Sequence, residues 1–178
     1  MDSNKLFTVK TTIEQKDYHK FLYIATFFKR KVYPLILFIF TAILSLLVTY
    51  NEGCFSPKEF LVFWIILNIF LILVIVIKIE IIFRQRIKTD NTGFFNSTEI
   101  LDFYTDFLIV KSKVFEGEMK IKYNQIYKIF ESKDYFIFYF NINNATLIRK
   151  DDLEKEIINN LSYIFKNNLK NNYKTLNI

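Results

Sequence analysis

Two long stretches without a charged residue dominate the hydrophobic pattern of the chain. Residues 32–50 and residues 60–77 contain 19 and 18 positions, almost all of them apolar. At about 1.5 Å per residue, each helix would be roughly 27–28 Å long, close to the thickness of a bilayer core. Neither stretch has the polar stripe of a surface helix. The pattern predicts two transmembrane helices, and the alternative is a buried helical hairpin in a soluble protein.

Basic residues flank the two stretches on one side only. The loop between them, residues 51–59, carries a single lysine, Lys58, against two glutamates. Because an excess of lysine and arginine marks the cytoplasmic side, the pattern predicts a multi-pass cell-membrane protein with both termini cytoplasmic and an external loop. The flanking basic residues are Lys29, Arg30 and Lys31 before the first stretch, and Arg84, Arg86 and Lys88 after the second.

The net charge of +6 lies beside these stretches. Residues 1–31 carry seven basic and three acidic groups, and residues 59–88 carry four and two. Residues 89–178 carry twelve of each and are neutral. A nucleic-acid binder would place its positive excess on a soluble domain. The distribution therefore predicts the lipid bilayer, with anionic headgroups, as the partner and argues against nucleic acid.

Few polar side chains lie within the apolar stretches. Thr41 and Ser45 share a helix face, and Asn68 lies near the middle of the second stretch. We expect all three to form interhelical hydrogen bonds, although an intramembrane asparagine can also mark a pathway. At the inner edge, Lys78 can extend its ammonium to the headgroups, and Glu80 is expected to pair with Arg84, four residues on.

Residues 1–31 contain a strand and a helix. Alternation of apolar and polar residues predicts a strand at residues 7–13, and whether it joins a later sheet is left open. An apolar face at helical spacing then predicts an amphipathic helix, which either lies along the inner membrane face or packs on the C-terminal domain. The single histidine, His19, is expected to be a surface or interfacial side chain of this helix. The apolar face contains Tyr18, Phe21, Leu22, Ala25 and Phe28.

After a helix extension and linker at residues 78–97, the pattern changes to a period of two. Six short strands with tight connections predict an antiparallel sheet or partial barrel over residues 98–170. An amphipathic helix that starts at Asp151 or Asp152 is expected to cap it, and residues 171–178 are expected to be a polar tail. The predicted strands are residues 99–104, 107–115, 118–123, 127–131, 135–140 and 145–149. The fifth is apolar or aromatic throughout, which predicts cover on both faces.

Four lysines stand out in the second and third strands. If Glu116 and Gly117 form a two-residue turn, Lys111 faces Lys122 and Lys113 faces Lys120, all on one side of the hairpin. Such a cluster is a candidate surface for anionic lipid or an acidic partner. The alternative is a solvated edge that deters aggregation.

This layout resembles the YcxB-like family of bacterial membrane proteins. The matching parts are the opening FTVKTTIEQKDYHKF, the two apolar stretches, IKYNQIYKIFESKDYFIFYF, and the closing ATLIRKDDL. The resemblance implies a short strand and helix, two transmembrane helices and a C-terminal pleckstrin-homology-like domain. It implies no particular activity.

Residues that carry chemistry are scarce. The chain has one cysteine, Cys54, one histidine and three isolated glycines, and it lacks phosphate-binding loops, nucleophile elbows and metal-binding motifs. We therefore expect no enzyme activity, cofactor or metal site. The leading hypothesis is a membrane-anchored module that binds lipid headgroups, a membrane partner or a second copy. The alternatives are protection against a membrane-active bacteriocin or toxin, and an accessory role in a transporter or envelope complex.

Overall fold

The structure is a computed structural model that describes residues 4–29, 32–51, 54–91, 93–112, 117–142 and 144–176. The chain forms two compact units. The helical unit contains the elements from α1 to α3, and the sheet unit contains β1 together with the elements from β4 onward. In chain order the elements are β1 (Lys5–Thr12), α1 (Gln15–Phe28), α2 (Val32–Thr49), β2 (Tyr50–Asn51), β3 (Cys54–Phe55), α3 (Pro57–Lys88), β4 (Thr98–Tyr104), β5 (Phe107–Ser112), β6 (Glu118–Lys122), β7 (Lys128–Glu131), β8 (Tyr135–Tyr139), β9 (Ala145–Arg149), α4 (Lys155–Leu169) and β10 (Tyr173–Thr175).

The helices α2 and α3 are long and apolar enough to cross a membrane. They contain 18 and 32 residues, so they are about 27 and 48 Å long. Pro57 occupies the first turn of α3, where its missing N–H is no loss because first-turn N–H groups have no partner within the helix. The helix continues through Lys88, as the expected extension beyond residue 77 requires.

One narrow polar face of α2 is buried, and it consists of side chains spaced four residues apart. Thr41, Ser45 and Thr49 are at most 6 % exposed. Around the rest of both helices apolar side chains are exposed, and Leu47 and Phe70 reach 67 % and 64 %. Among the described residues of α3, only Ile79 is buried. The buried face of α2 therefore consists of small polar groups, and most of the apolar surface of both helices lies outside.

The first sheet of the sheet unit answers the question that the sequence left open. Its strand order is β1-β4-β5-β6, and β1 pairs antiparallel with β4, with Val9 opposite Leu101. Just beyond the paired strands, the Asn96 amide donates to the Ile13 carbonyl at 2.9 Å. The chain thus leaves this sheet at β1 and returns to it at β4. The segment with both apolar helices is inserted between two neighbouring strands.

The second sheet has the order β10-β7-β8-β9. Its outer strand β10 runs parallel to β7, and the Leu176 amide beyond it donates to the Glu131 carbonyl at 2.7 Å. The prediction of a polar tail over residues 171–178 was wrong for this part. The side chains of β10 are mostly polar, but its backbone completes the edge of the sheet and Leu176 is buried.

Helix α4 packs between the two sheets through a few large side chains. The ring of Phe165 lies 6.1 Å from that of Phe103 in the first sheet. It lies 5.7 and 5.0 Å from the rings of Phe136 and Phe138 in the second. Phe165 is fully buried, so both sheets and the helix share one core. The predicted α+β class and six strands are confirmed, and all five residues of β8 are buried as expected.

The predicted start of α4 was wrong. The helix begins at Lys155 after Glu154, and Asp151 and Asp152 lie in a preceding 3-10 turn. The carboxylate of Asp152 is engaged with β1, where it accepts hydrogen bonds from the Thr11 hydroxyl at 3.0 Å and the Thr12 amide at 3.2 Å. An acidic residue near a helix start therefore serves a strand 140 residues away.

If β1 is an integral part of the sheet unit, shortening its buried side chain should weaken strands that follow the apolar segment. We expect Val9→Ala to lower the free energy of opening of the β4 and β5 amides by about 2 kcal/mol, because two methyl groups leave the core. Hydrogen exchange of the full chain in detergent micelles measures this. The exposed neighbour Lys10→Ala is the control and should leave exchange unchanged. Unaltered exchange in Val9→Ala would show that β1 contributes nothing to the sheet.

Candidate functional site

The register of the β5–β6 hairpin differs from the prediction. Lys111 faces Glu118, and Ile109 faces Lys120, so the strands are offset by four residues from the predicted pairing. In the described residues β5 ends at Ser112 and β6 begins at Glu118, and residues 113–116 between them lie outside the described part of the chain. The opposed lysine pairs were therefore wrong. Lys111, Lys120 and Lys122 still share one face because the offset is even, whereas Lys113 lies outside the described residues.

Each described lysine of this group has its own surroundings. The Lys111 ammonium lies 2.9 Å from Glu118 and 3.4 Å from Asp102, so two carboxylates compensate its charge. The Lys120 ammonium lies 3.8 Å from the centre of the Phe107 ring. Lys122 faces Phe107 across the strands. The surface around these lysines therefore carries charges of both signs and includes the ring of Phe107. Its binding to anionic lipid stays a prediction.

Asp102 joins three strands of the first sheet. Its carboxylate lies 2.5 Å from the Lys5 ammonium and accepts a hydrogen bond from the Thr8 hydroxyl at 2.7 Å. Burial by itself would raise the pKa of this carboxyl. The hydrogen bonds from Lys5, Thr8 and Lys111 outweigh that effect and hold the pKa below its ordinary value. The charged form is therefore the one that stabilises the sheet.

A second carboxylate, Glu131, connects β7 to the C-terminal elements. It lies 2.7 Å from the Lys150 ammonium and accepts hydrogen bonds from the hydroxyls of Ser162 and Tyr173. Burial, together with the hydrogen bond to Glu131, raises the pKa of Tyr173 to about 12. Sequence reasoning missed this cluster because its members come from separate elements and share no local pattern.

A cavity of about 320 Å³ lies beside the same hairpin in the sheet unit. Val110, Met119 and Phe140 form its apolar walls. On its polar side, Glu99 accepts a hydrogen bond from the Thr146 hydroxyl at 2.9 Å. Burial raises the pKa of Glu99, and the hydrogen bond from Thr146 partly offsets the shift. This bond connects β4 in one sheet to β9 in the other, which gives the carboxyl a structural role.

In the helical unit, the three polar residues of the apolar stretches bond in different ways. The Ser45 hydroxyl donates to the Phe60 carbonyl of α3 at 2.9 Å. The Thr41 hydroxyl donates to the Phe38 carbonyl within its own helix, and the Asn68 amide donates to the Trp64 carbonyl within α3. Of these bonds, the one from Ser45 crosses between the helices.

The basic flanks lie at helix ends where the structure describes them. Lys29 follows α1, and Arg84, Arg86 and Lys88 belong to the last turns of α3. Arg30 and Lys31 lie outside the described residues. Cations at the C-terminal end of a helix interact favourably with its dipole, so these positions also stabilise α3.

Near that end, a cluster that the sequence did not predict connects α1 to α3. His19 Nε2 lies 2.6 Å from Glu80 Oε1, and the Tyr23 hydroxyl donates to the same oxygen at 3.3 Å. The His19 ring also packs on Phe83, with 4.4 Å between ring centres. Glu80 was expected to pair with Arg84, but its close partners come from α1. No local spacing could have indicated a contact across 61 positions.

A second cavity, of about 610 Å³, is a groove in the helical unit. It is lined by α1, α2 and α3, with Asn68 at one end and Lys78 towards the other. Between them its walls are apolar, and Lys78 makes no ion pair or hydrogen bond within the described part of the chain. We call this feature the interhelical groove. Among the described residues, no group of three or more histidines, cysteines or acidic residues could hold a metal ion.

The contacts of Asp102 predict a pH-dependent stability. Asp102→Asn should lower the free energy of unfolding of the sheet unit by about 2 kcal/mol at pH 7, because two ammonium groups lose their charged acceptor. A carboxyl whose pKa is lower in the folded state than in the unfolded chain, where it is about 4, stabilises the fold at pH values above about 4. This stabilisation is lost as the pH falls through the pKa of the folded state. The difference between wild type and variant should therefore shrink below about pH 4.

Thermal unfolding of the full chain in detergent, followed by the near-ultraviolet dichroism of its tyrosines, measures this. Glu118→Gln is the matched control, since it removes the other partner of Lys111 but is 59 % exposed, and it should change stability little. A variant as stable as wild type at pH 7, or an unchanged difference at pH 3, would contradict the assignment.

Comparison with known proteins finds a family model that matches one segment of the chain. Residues 103–161 match the family model described as YcxB-like protein. The matched segment runs from the end of β4 into α4 and includes the strands that share the Phe165 core. No curated protein and no solved structure matches the chain. The resemblance found in the sequence is confirmed over these residues, and the chain carries a YcxB-like segment.

Proposed function

We propose that the chain is a two-pass integral membrane protein whose sheet unit is a non-enzymatic binding module at the cytoplasmic surface. The observation that carries the proposal is the exposure of apolar side chains around both long helices. In water such a surface would be strongly unfavourable, at about 25 cal/mol for each Å² exposed. In lipid the same surface is solvated, and helices satisfy their backbone hydrogen bonds internally.

The pairing of β1 with β4 supports an even number of crossings. Both ends of the inserted segment belong to one sheet, since β1 ends at Thr12 and β4 begins at Thr98. A folded sheet cannot be divided between two aqueous compartments, so a chain that leaves this sheet through a membrane must return to the same side. Two helices joined by the short β2–β3 hairpin satisfy this requirement.

Charge distribution supports the orientation. The basic residues at the C-terminal end of α3 continue beyond the apolar stretch, whereas the hairpin end carries one lysine and two glutamates. Positive residues are retained on the cytoplasmic side. Because α3 is about 48 Å long and a bilayer core is about 30 Å thick, roughly a third of it would extend beyond the hydrocarbon.

A binding role for the sheet unit is supported by the structural use of three of its carboxyl groups. Asp102, Glu131 and Glu99 each bond to groups from other strands or helices and hold elements together. Two sheets that share a core with one C-terminal helix support the proposal that this unit has the pleckstrin-homology-like fold that the family resemblance implies. We propose that this unit presents its surface to lipid headgroups, to a membrane partner or to a second copy.

The topology is tested with single cysteines and an impermeant maleimide on intact cells. Native Cys54 should react from outside, because it lies between the two apolar helices. In a Cys54→Ser background, Asn4→Cys and Asn171→Cys should react only after the membrane is opened. Both replaced positions are exposed in the sheet unit, so poor accessibility would not explain their protection.

Extraction provides the independent check of insertion. The full chain should stay in the membrane pellet at alkaline pH and enter the supernatant only with detergent. Release without detergent would overturn the proposal, and so would labelling of both sheet-unit cysteines from outside intact cells. Labelling of one of them alone would contradict the shared sheet.

A further inference from the structure

The interhelical groove offers a site with one charged end and a long apolar wall. Phe27 of α1, Leu37 of α2, and Leu71 and Ile75 of α3 contribute to the wall. Its volume of about 610 Å³ is within the range of small-molecule sites, about 300–1,000 Å³. A ligand for such a site needs a long apolar portion.

The length of the groove matches the depth of one membrane leaflet. Asn68 and Lys78 are ten residues apart on α3, which corresponds to about 15 Å along the helix axis. The hydrocarbon core is about 30 Å thick, so one leaflet is about half of that. Under the proposed topology, Lys78 lies at the headgroup level and Asn68 near the midplane.

The charge at the mouth selects the headgroup. Lys78 is the first charged residue after the apolar stretch, and it is exposed. No carboxylate of the described residues pairs with its ammonium, whereas Glu80, two positions on, is held by His19 and Tyr23. An ammonium without a partner at the headgroup level favours a phospholipid whose whole headgroup has a net negative charge.

We propose that the interhelical groove binds one acyl chain of an anionic phospholipid, with its phosphate on Lys78. The inference rests on the proposed membrane function and deepens it by naming a lipid class and a site. The acyl chain replaces water along the apolar wall, and the ion pair at the mouth distinguishes anionic from zwitterionic lipid.

The single tryptophan is a reporter at the deep end. Asn68 donates to the Trp64 carbonyl at 2.8 Å, and the Trp64 ring lies 4.5 Å from that of Phe38, which lines the groove. A lipid with bromine atoms on its acyl chain quenches tryptophan fluorescence on contact. Quenching of Trp64 therefore reports occupancy of the deep end by an acyl chain.

The experiment uses the full chain in vesicles of phosphatidylcholine into which brominated phosphatidylglycerol or brominated phosphatidylcholine is titrated. We expect about a fivefold preference for phosphatidylglycerol, the effect of about one lysine near the surface. Lys78→Gln should bring the ratio close to one. Lys88→Gln removes the same charge from the same helix outside the groove, and it should leave the ratio unchanged.

A second pair of variants tests the apolar wall without changing charge. Leu71→Phe places a larger side chain in the groove and should reduce quenching by both lipids. Leu73→Phe makes the same change at an exposed position that does not line the groove. Equal effects of the two phenylalanines, or equal loss of preference in the two glutamine variants, would overturn the proposal.

The outcomes also separate this proposal from the membrane proposal. A chain that leaves the membrane at alkaline pH refutes both. A chain that stays inserted, with Trp64 quenched equally by the two lipids, refutes only the groove. If a second copy covers the groove, Leu71→Phe lowers the oligomeric state measured by light scattering and lipid preference is absent, which overturns lipid binding.

Discussion

The antiparallel pairing of β1 with β4 is the constraint on which the architecture depends. These strands are separated in the chain by both long apolar helices, yet Val9 and Leu101 face each other and are both about 1 % exposed. The sheet unit is complete only after the inserted segment has been made. Its folding therefore requires a closure over more than 80 residues, and compact packing of α2 on α3 reduces the entropy cost of that closure.

Within the sheet unit, the shared apolar core and a few charged groups stabilise the fold in different ways. Phe165 contacts rings from both sheets, so the loss of one side chain would leave a cavity bordered by all three layers. Asp102 connects β4 to Lys5 of β1 and Lys111 of β5, and Glu131 connects β7 to Lys150 after β9. Hydrophobic burial supplies most of the stability, and the charge pairs specify which strand ends meet.

The helical unit follows the opposite rule. Its contact face is polar, and its outward surface is apolar. Under the proposed insertion in lipid, helix association brings no hydrophobic gain, and small side chains and hydrogen bonds such as that from Ser45 to Phe60 would hold the pair. The same geometry leaves the interhelical groove beside Lys78, where α1 and the two long helices do not fill the space between them.

By itself the sequence determined the existence and type of the elements whose pattern is local, although it misplaced the start of α4. The period of two predicted β4 to β9, the helical spacing predicted α1 and α4, and the absence of charge predicted α2 and α3. The family resemblance added the expected layout of the YcxB-like segment. It rests on hydrophobic patterns, which the chain shares with members of that family.

Only the tertiary structure decided which elements meet. It paired β1 with β4, set Lys111 opposite Glu118, placed β10 beside β7, and connected His19 to Glu80. A shift in register changes every partner across a hairpin, and the local alternation of β5 and β6 is the same in both registers. Strand β10 joins the sheet through its backbone N–H and C=O groups, which every residue has. The mostly polar side chains of β10 therefore could not indicate its pairing with β7. Contacts between distant residues depend on the packed core, which no local window of the sequence contains.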